Sequence, residues 1–497
     1  MTQGPDTKPR EWLQPKIIGL LLGPALAAGM LVAGPPGTLE HQAWMVAALT
    51  LLMAVWWVSE ALPIPVTALL PLALLPLLGV STPGDAAAPY ANPLVFLFLG
   101  GFMIALAIQR WNLHRRIALL ILRHSGQRPD HLVGGFMLGT AGLSMWVSNT
   151  ATAAMMLPIG LSVLLVMESY RADEAPESQQ RFAKALLLGI AFAANIGGMG
   201  TLIGTPPNAI LAAFMADTHG IHIGFGQWML VGAPVSLVML GLCWWVLTRW
   251  AFPLETLPIG GVAELIERKR AELGPLTNTE GRVLVVFVLT AAAWMLRPLL
   301  ENQFPTLHFS DAGIAVLGAI ALFLIPAAGR GNGALLTWAD TRELPWGVIL
   351  LVGGGLSLGT AIESSGLSAS IAGQLVALGG LPIILVVITV ALLTLLLSHV
   401  ASNTATAATL LPLVTSIALT IDQPPLALAV PVALAASCAF MLPVATPPNA
   451  IVFGSERLHV IDMVRAGSRV TLIALPLIVV ASLVLAPWAL VSPDLGP

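Results

Sequence analysis

Residues 148–158 read SNTATAAMMLP and residues 402–412 read SNTATAATLLP, seven identical positions in a row followed by Leu-Pro in the same register. A second string, TPPNAI, stands at 205–210 and again at 446–451, after the first string in both cases. Two identical blocks in the same order point to a duplicated chain. The duplication divides the sequence into an N-terminal span at 1–39, a first repeat at 40–250, a linker at 251–282 and a second repeat at 283–490.

The residue types explain why these strings matter. Ser, Asn and Thr are good helix N-caps, and an apolar helix former follows each tip, so Ser148-Asn149-Thr150 and Ser402-Asn403-Thr404 are expected at helix starts. Proline disrupts the helix before it and suits the first turn of the next, so Thr205-Pro206-Pro207 and Thr446-Pro447-Pro448 predict two further starts inside broken helices at 183–216 and 425–453. All four are expected to present unpaired backbone N–H groups and a partial positive charge, which suits an anion. Within 137–160, 190–213, 392–415 and 430–453 there is no Lys, Arg, Asp or Glu. An anion there is held by helix ends and neutral side chains. A cation is held by hydroxyl, amide and carbonyl oxygens, the ligands that hard ions prefer, and a proton relay through carboxylates is disfavoured.

The rest of the chain is the setting for these strings. Of 497 residues, 57% are hydrophobic and 9% charged, with a mean hydropathy of +0.88, where soluble domains carry about 25% charged residues. Apolar runs at 17–33, 44–58, 64–79, 93–109, 228–248, 283–300, 312–328 and 470–490 approach or reach the length of a membrane span. The expected fold is therefore all-α and polytopic, with no room for a separate soluble domain. A net charge of −3 offers nothing to a nucleic acid, and Cys243 and Cys438 lie too far apart in sequence to suggest a disulfide framework or metal cluster.

Lys and Arg concentrate in cytoplasmic loops, which orients the chain. With the N-terminus (Lys8, Arg10, Lys16) cytoplasmic, 34–43, 80–92, 217–227, 301–311, 362–381 and the tail after 490 lie outside, and none holds a Lys or Arg. The basic groups at 110–128, 171–184, 249–282, Arg330, Arg342 and 457–469 fall inside; Arg297 is the exception. The count closes if 130–167 and 382–421 are re-entrant hairpins, although pairs of full spans preserve parity too. On this threading the repeats are inverted, an architecture that places substrate near the bilayer midplane.

These strings, with WWVSEALPIP (56–65), YANPLVFLFLGGFM (90–103), MWVSNTATAAMMLPIG (145–160), IGGMGTLIGTPPNA (196–209) and ASCAFMLPVATPPNAIVFGS (436–455), resemble the divalent anion/sodium symporters over essentially the whole chain, and look closest to their bacterial succinate-transporting members. The resemblance implies a homodimer in the cell (inner) membrane, about eleven spans per protomer, and scaffold and transport domains that move as an elevator. It implies a first sodium site at Ser144, Ser148, Asn149 and a carbonyl of the Gly197-Gly198 break, and a second at Ser398, Ser402, Asn403 and Ala445. It also implies substrate contacts at Asn149, Thr150, Asn403, Thr404, Thr446 and Pro447, to which the paired strings add Ser148, Thr205 and Ser402.

The expected activity is sodium-coupled symport of C4-dicarboxylates such as succinate, fumarate and malate, with at least two sodium ions. A sodium-independent exchanger, or a citrate or sulfate carrier, is the alternative on the same fold. An intramembrane hydrolase using Ser148 or Ser402 lacks a paired base, with His399 the only titratable group beside either tip, so no enzyme is expected. Lone Ser and Thr residues in membrane helices usually bond back to their own carbonyls, and Glu60, Glu168 and Glu363, near span ends, read as solvated or as caps. The Trp residues read mostly as interface anchors, and 111–125 and 364–380 as amphipathic surface helices or domain-linking arms.

Overall fold

The computed structural model describes residues 13–37, 39–170, 176–328, 333–374 and 381–490. Lys8, Arg10, Arg171, Arg330, residues 375–380 and the tail from 491 lie outside the described residues. The described chain is helical, with a single isolated bridge between Pro326 and Ala334. Among the described residues ten helices are long and apolar enough to cross a bilayer, and up to eleven if Val262–Leu273 and Asn278–Met295, bent by 99° at their junction, form one span. Helices are the natural outcome, because hydrocarbon offers no partner to backbone N–H and C=O groups and a helix satisfies them internally.

The duplication is visible as two runs of elements in one order. The first is Pro93–Arg110, Leu113–Arg123, Pro129–Ser144, Asn149–Tyr170, Pro176–Gly198, Pro206–His219 and Phe225–Trp245. The second is Trp346–Ser364, Leu367–Gln374, Ile383–Val400, Asn403–Thr420, Pro425–Ala436, Pro447–Phe453 and Val460–Val480. Even the last turn repeats, since each run ends in a short π-helix, Val246–Ala251 and Ala481–Leu485. Expected linker 251–282 carries a helix of its own, Val262–Leu273, packed against Leu113–Arg123 and Asn149–Tyr170.

The two runs interlock. Pro206–His219, the helix after the first break, packs against Asn403–Thr420, Pro425–Ala436 and Trp346–Ser364 of the second run. Pro447–Phe453, after the second break, packs against Asn149–Tyr170 and Pro176–Gly198 of the first. Each break thus delivers its outgoing helix to the other half's hairpin, and one continuous core forms, with Phe136, Phe192, Phe214 and Phe440 buried in it.

Polar contacts between loops sort them into two sets. Arg110 pairs with Asp340, Arg116 with Glu280 (2.9 Å), Arg123 with Glu267 (3.0 Å), Lys184 with Asp462 (2.9 Å) and Arg457 with Glu168, all within the set read above as the inner face. On the opposite set, Asn92 donates to Asp217 at 2.7 Å, and Arg297 pairs with Asp311 at 3.4 Å. Arg297, the exception to the charge count, is held there by Asp311 and by Glu301 at 3.6 Å.

Three tryptophans are exceptions to the interface-anchor expectation. Trp57, Trp228 and Trp294 are buried rather than interfacial, and each indole N–H has a carbonyl partner: Ile64 at 3.3 Å, Met199 at 3.0 Å and Asp311 at 2.9 Å. Bulk drew them inside, and buried N–H groups need an acceptor there.

Candidate functional site

Helices begin at Asn149 and at Asn403, directly after Ser148 and Ser402. The reason is local: the Ser148 carbonyl accepts from Thr152 N at 3.0 Å and the Ser402 carbonyl from Thr406 N at 2.9 Å, which closes each first turn. The two serines then differ. The Ser148 hydroxyl caps its own helix, accepting from Ala151 N at 3.2 Å. The Ser402 side chain makes no capping bond.

Behind each tip lies the same oxygen cluster. Ser144 Oγ is 2.7 Å from the Ala194 carbonyl and 2.6 Å from Asn149 Oδ1; Ser398 Oγ is 2.6 Å from the Ala436 carbonyl and 2.8 Å from Asn403 Oδ1. A serine hydroxyl has one proton. It serves one of its two neighbours, and the other contact is satisfied when the carboxamide presents its nitrogen to the serine oxygen. At the first tip the carboxamide has a second arrangement: with its nitrogen turned inward, Asn149 donates to Ser144 Oγ at 2.6 Å and to the Ala194 and Gly204 carbonyls at 3.2 Å each. With its oxygen inward, the same three oxygens surround it at those distances.

The breaks at 199–205 and 437–446 are held open by a residue that the sequence reading left out. Asn208 Nδ2 donates to the carbonyls of Gly198 (3.2 Å) and Thr201 (2.8 Å); Asn449 Nδ2 donates to those of Ala439 and Leu442, both at 3.0 Å. In the register of the TPPNAI strings these are the same positions, so one amide per half satisfies carbonyls that the unwound turn leaves without helical partners. Both asparagines stand inside the repeated string, so the signal was present in the sequence. Gly197 and Gly198 fit the same geometry. A Cβ at Gly197 would strike the Ala141 backbone, and one at Gly198 would stand 2.7 Å from the Asn149 amide. The carbonyl facing Asn149 belongs to Gly204, the register counterpart of Ala445.

The expectation of four anion-attracting helix starts is corrected at two of them. Pro206, Pro207, Pro447 and Pro448 have no N–H to offer. The next amides are engaged, Asn208 N by the Thr205 carbonyl (3.2 Å), Asn449 N by Thr446 Oγ1 (3.4 Å) and Ala450 N by the Thr446 carbonyl (3.1 Å). Unpaired N–H groups therefore come from the tips, at Asn149, Thr150, Asn403 and Thr404, which have no partner within the described residues. Thr150 and Pro447 are exposed and Ser148, Asn149, Ser402 and Asn403 half-buried, while Thr205 and Thr446 are buried at 2% and 3% exposure.

Two further titratable residues lie near the motifs. His399 Nδ1 bonds the Leu395 carbonyl of its own helix at 2.5 Å, and its buried Nε2 has no partner among the described residues. Glu60 is the left-handed C-cap of His41–Ser59 (φ 48°) and pairs with Lys16 at 3.7 Å, both half exposed and away from the tips. Trp146, just before the first tip, stacks on Phe225 at 5.9 Å and meets Phe287 edge-on at 5.0 Å, and Phe225 stacks on Trp294 at 4.4 Å. The first tip is thereby seated against Phe225–Trp245 and Asn278–Met295.

Residues 14–491 match the family described as the sodium:sulfate symporter transmembrane region. The chain is 41% identical over 484 residues to the sodium-dependent dicarboxylate transporter SdcS of Staphylococcus saprophyticus subsp. saprophyticus, spanning 97% of this chain and 92% of that one. It is 42% identical over 469 residues to SdcS of Staphylococcus aureus strain USA300, spanning 93% and 90%. Among solved structures it is similar in fold to the Alcanivorax borkumensis YdaH transporter (TM-score 0.56, 16% identity, 98% of this chain and 100% of that one). It is likewise similar to Neisseria gonorrhoeae MtrF (TM-score 0.52, 12% identity, 95% of each).

Proposed function

The chain belongs to the sodium:sulfate symporter family, and from that premise we propose that its two hairpin tips and two helix breaks together bind sodium and a C4-dicarboxylate. The protein is a multi-pass membrane carrier that performs sodium-coupled symport of dicarboxylates. One observation carries the ionic part: behind each tip a serine hydroxyl stands within 2.6–2.8 Å of both an asparagine carboxamide and a backbone carbonyl, with no fixed positive charge nearby.

Sodium is cargo here, and the donor set fits a hard cation. The first ion takes Ser144, Ser148, Asn149 and backbone carbonyls at the break, where Gly204 and Ala194 stand beside the expected Gly197-Gly198 pair. The second takes Ser398, Ser402, Asn403, Ala445 and the Ala436 carbonyl. The free hydroxyl of Ser402 suits a direct contact, whereas that of Ser148 has lone pairs to share between cap and ion. Two bound cations offset a dianion, whose carboxylates meet the tip N–H groups and the side chains of Ser148, Asn149, Thr150, Thr205, Ser402, Asn403, Thr404 and Thr446, with Pro447 against the carbon chain.

Tips that end where the long helices break support reading 130–167 and 382–421 as re-entrant hairpins and the repeats as inverted. The face bearing the Arg and Lys loops is cytoplasmic in this reading, in a bacterial inner membrane. The homodimer and the elevator movement are proposed on the family resemblance alone.

Reconstituted protein should accumulate labelled succinate under an inward sodium gradient, and equal uptake with choline in place of sodium would refute coupling. Sulfate is the second reading, since the matched family carries it in its description. Unlabelled sulfate should compete weakly in that assay and succinate strongly; the reverse order would transfer the site to sulfate.

A further inference from the structure

Asn195 is a buried amide in Pro176–Gly198 of the first half, yet its partners are in the second. Its Nδ2 donates to Thr446 Oγ1 at 3.0 Å and lies 3.5 Å from Asn449 Oδ1. Thr446 Oγ1 also accepts from Asn449 N, at 3.4 Å, as the cap of Pro447–Phe453. A hydroxyl oxygen has two lone pairs and one proton. With both pairs engaged, the proton is left on the remaining tetrahedral direction, and it has no acceptor among the described residues.

The duplication does not extend to this device. In the register of the two TPPNAI strings, Asn195 corresponds to Ala436, which has no donor. Thr205, the counterpart of Thr446, makes no capping bond through its side chain. A rotor held in one orientation donates to an anion without first giving up its rotational freedom, and a hydroxyl donating to a carboxylate forms a bond about twice as strong as a neutral one.

We propose that Asn195 is a positioning residue, reaching across from the first half to aim the Thr446 hydroxyl at one carboxylate of the bound dicarboxylate. One half of a duplicated site then grips the anion more firmly than the other. The proposal rests on the reading that Thr446 touches substrate, and its test keeps the two apart.

Sodium-driven succinate uptake is measured in proteoliposomes with the full chain as wild type, Asn195→Ala, Thr446→Val and the double variant. Asn195→Ala should raise the succinate KM about threefold, as the Thr446 hydroxyl regains its rotational freedom, and Thr446→Val about tenfold, the loss of one charge-assisted hydrogen bond. Maximal rate and sodium half-saturation should stay within about twofold. The double variant should match Thr446→Val alone, because a residue acting only through Thr446 has nothing left to position. A wild-type KM for Asn195→Ala, or effects that multiply in the double variant, would overturn the inference while leaving substrate at Thr446. An unchanged KM for Thr446→Val would remove the substrate contact itself and the inference with it. Should Asn195→Ala not fold, the near-isosteric Asn195→Leu carries the same comparison.

Discussion

The two halves carry the same strings in different surroundings. The first break, at 199–205, is buried throughout and glycine-rich; the second, at 437–446, leaves Val444 66% exposed and is followed by an exposed Pro447. Gly198 stands where the second half has Ala439, and Gly204 where it has Ala445. In the first break, backbone approaches backbone so closely that a methyl group would collide with the Asn149 amide or the neighbouring carbonyl. The second tolerates side chains at the same positions. What repeats without variation is the pair of serines, the asparagine of each tip and the asparagine that holds each break. The difference teaches that the oxygen clusters proposed to hold sodium are duplicated, whereas the contacts around the threonines proposed to meet substrate are not.

The largest expected effect tests what is shared. Asn149→Ala and Asn403→Ala should each abolish sodium-driven uptake while the protein stays monodisperse, because each removes a carboxamide proposed to serve both the ion and the anion. Wild-type sodium dependence in both variants would break the assignment of the tips.

Next comes a substitution pair that separates the breaks. Gly198→Ala places a Cβ 2.7 Å from the Asn149 amide and should raise the sodium half-saturation by about tenfold or more, as a misplaced ligand does. Ala439→Gly, at the matching position, should leave sodium dependence unchanged and cost at most about 1 kcal/mol of stability. Equal effects on sodium dependence would erase the contrast between the halves.

The smallest effect sharpens the capping difference. Ser148→Ala removes an N-cap and should lower stability by about 1 kcal/mol, read as a drop in Tm, in addition to weakening sodium binding. Ser402→Ala caps nothing and should weaken sodium binding with its Tm unchanged. Equal Tm values for the two variants would show that the tips are capped alike.

Much of this was legible in the chain. The identical tips announced helix starts because Ser, Asn and Thr compete for backbone bonds in a way that begins helices, and Asn149 and Asn403 do begin them. The Thr-Pro-Pro strings announced breaks for an equally local reason. Their electrostatics were overestimated, since the prolines that start those helices remove the N–H groups that attract anions. Asn208 and Asn449 stood in plain view within the repeated string, but their task, holding carbonyls seven to ten residues upstream, depends on how the turn unwinds.

The sequence by itself determined a bilayer protein, a duplication, the places where its helices start and break, and a binding region without fixed charge. Each follows from composition or from the propensities of a few adjacent residues. Only the tertiary structure decided that each half's outgoing helix lies against the other half's hairpin, and that Asn195 reaches Thr446 across 251 positions of chain. No periodicity records such a contact, because Asn195 has an alanine as its repeat partner. Its effect comes from packing brought about by the whole core rather than from its neighbours in sequence.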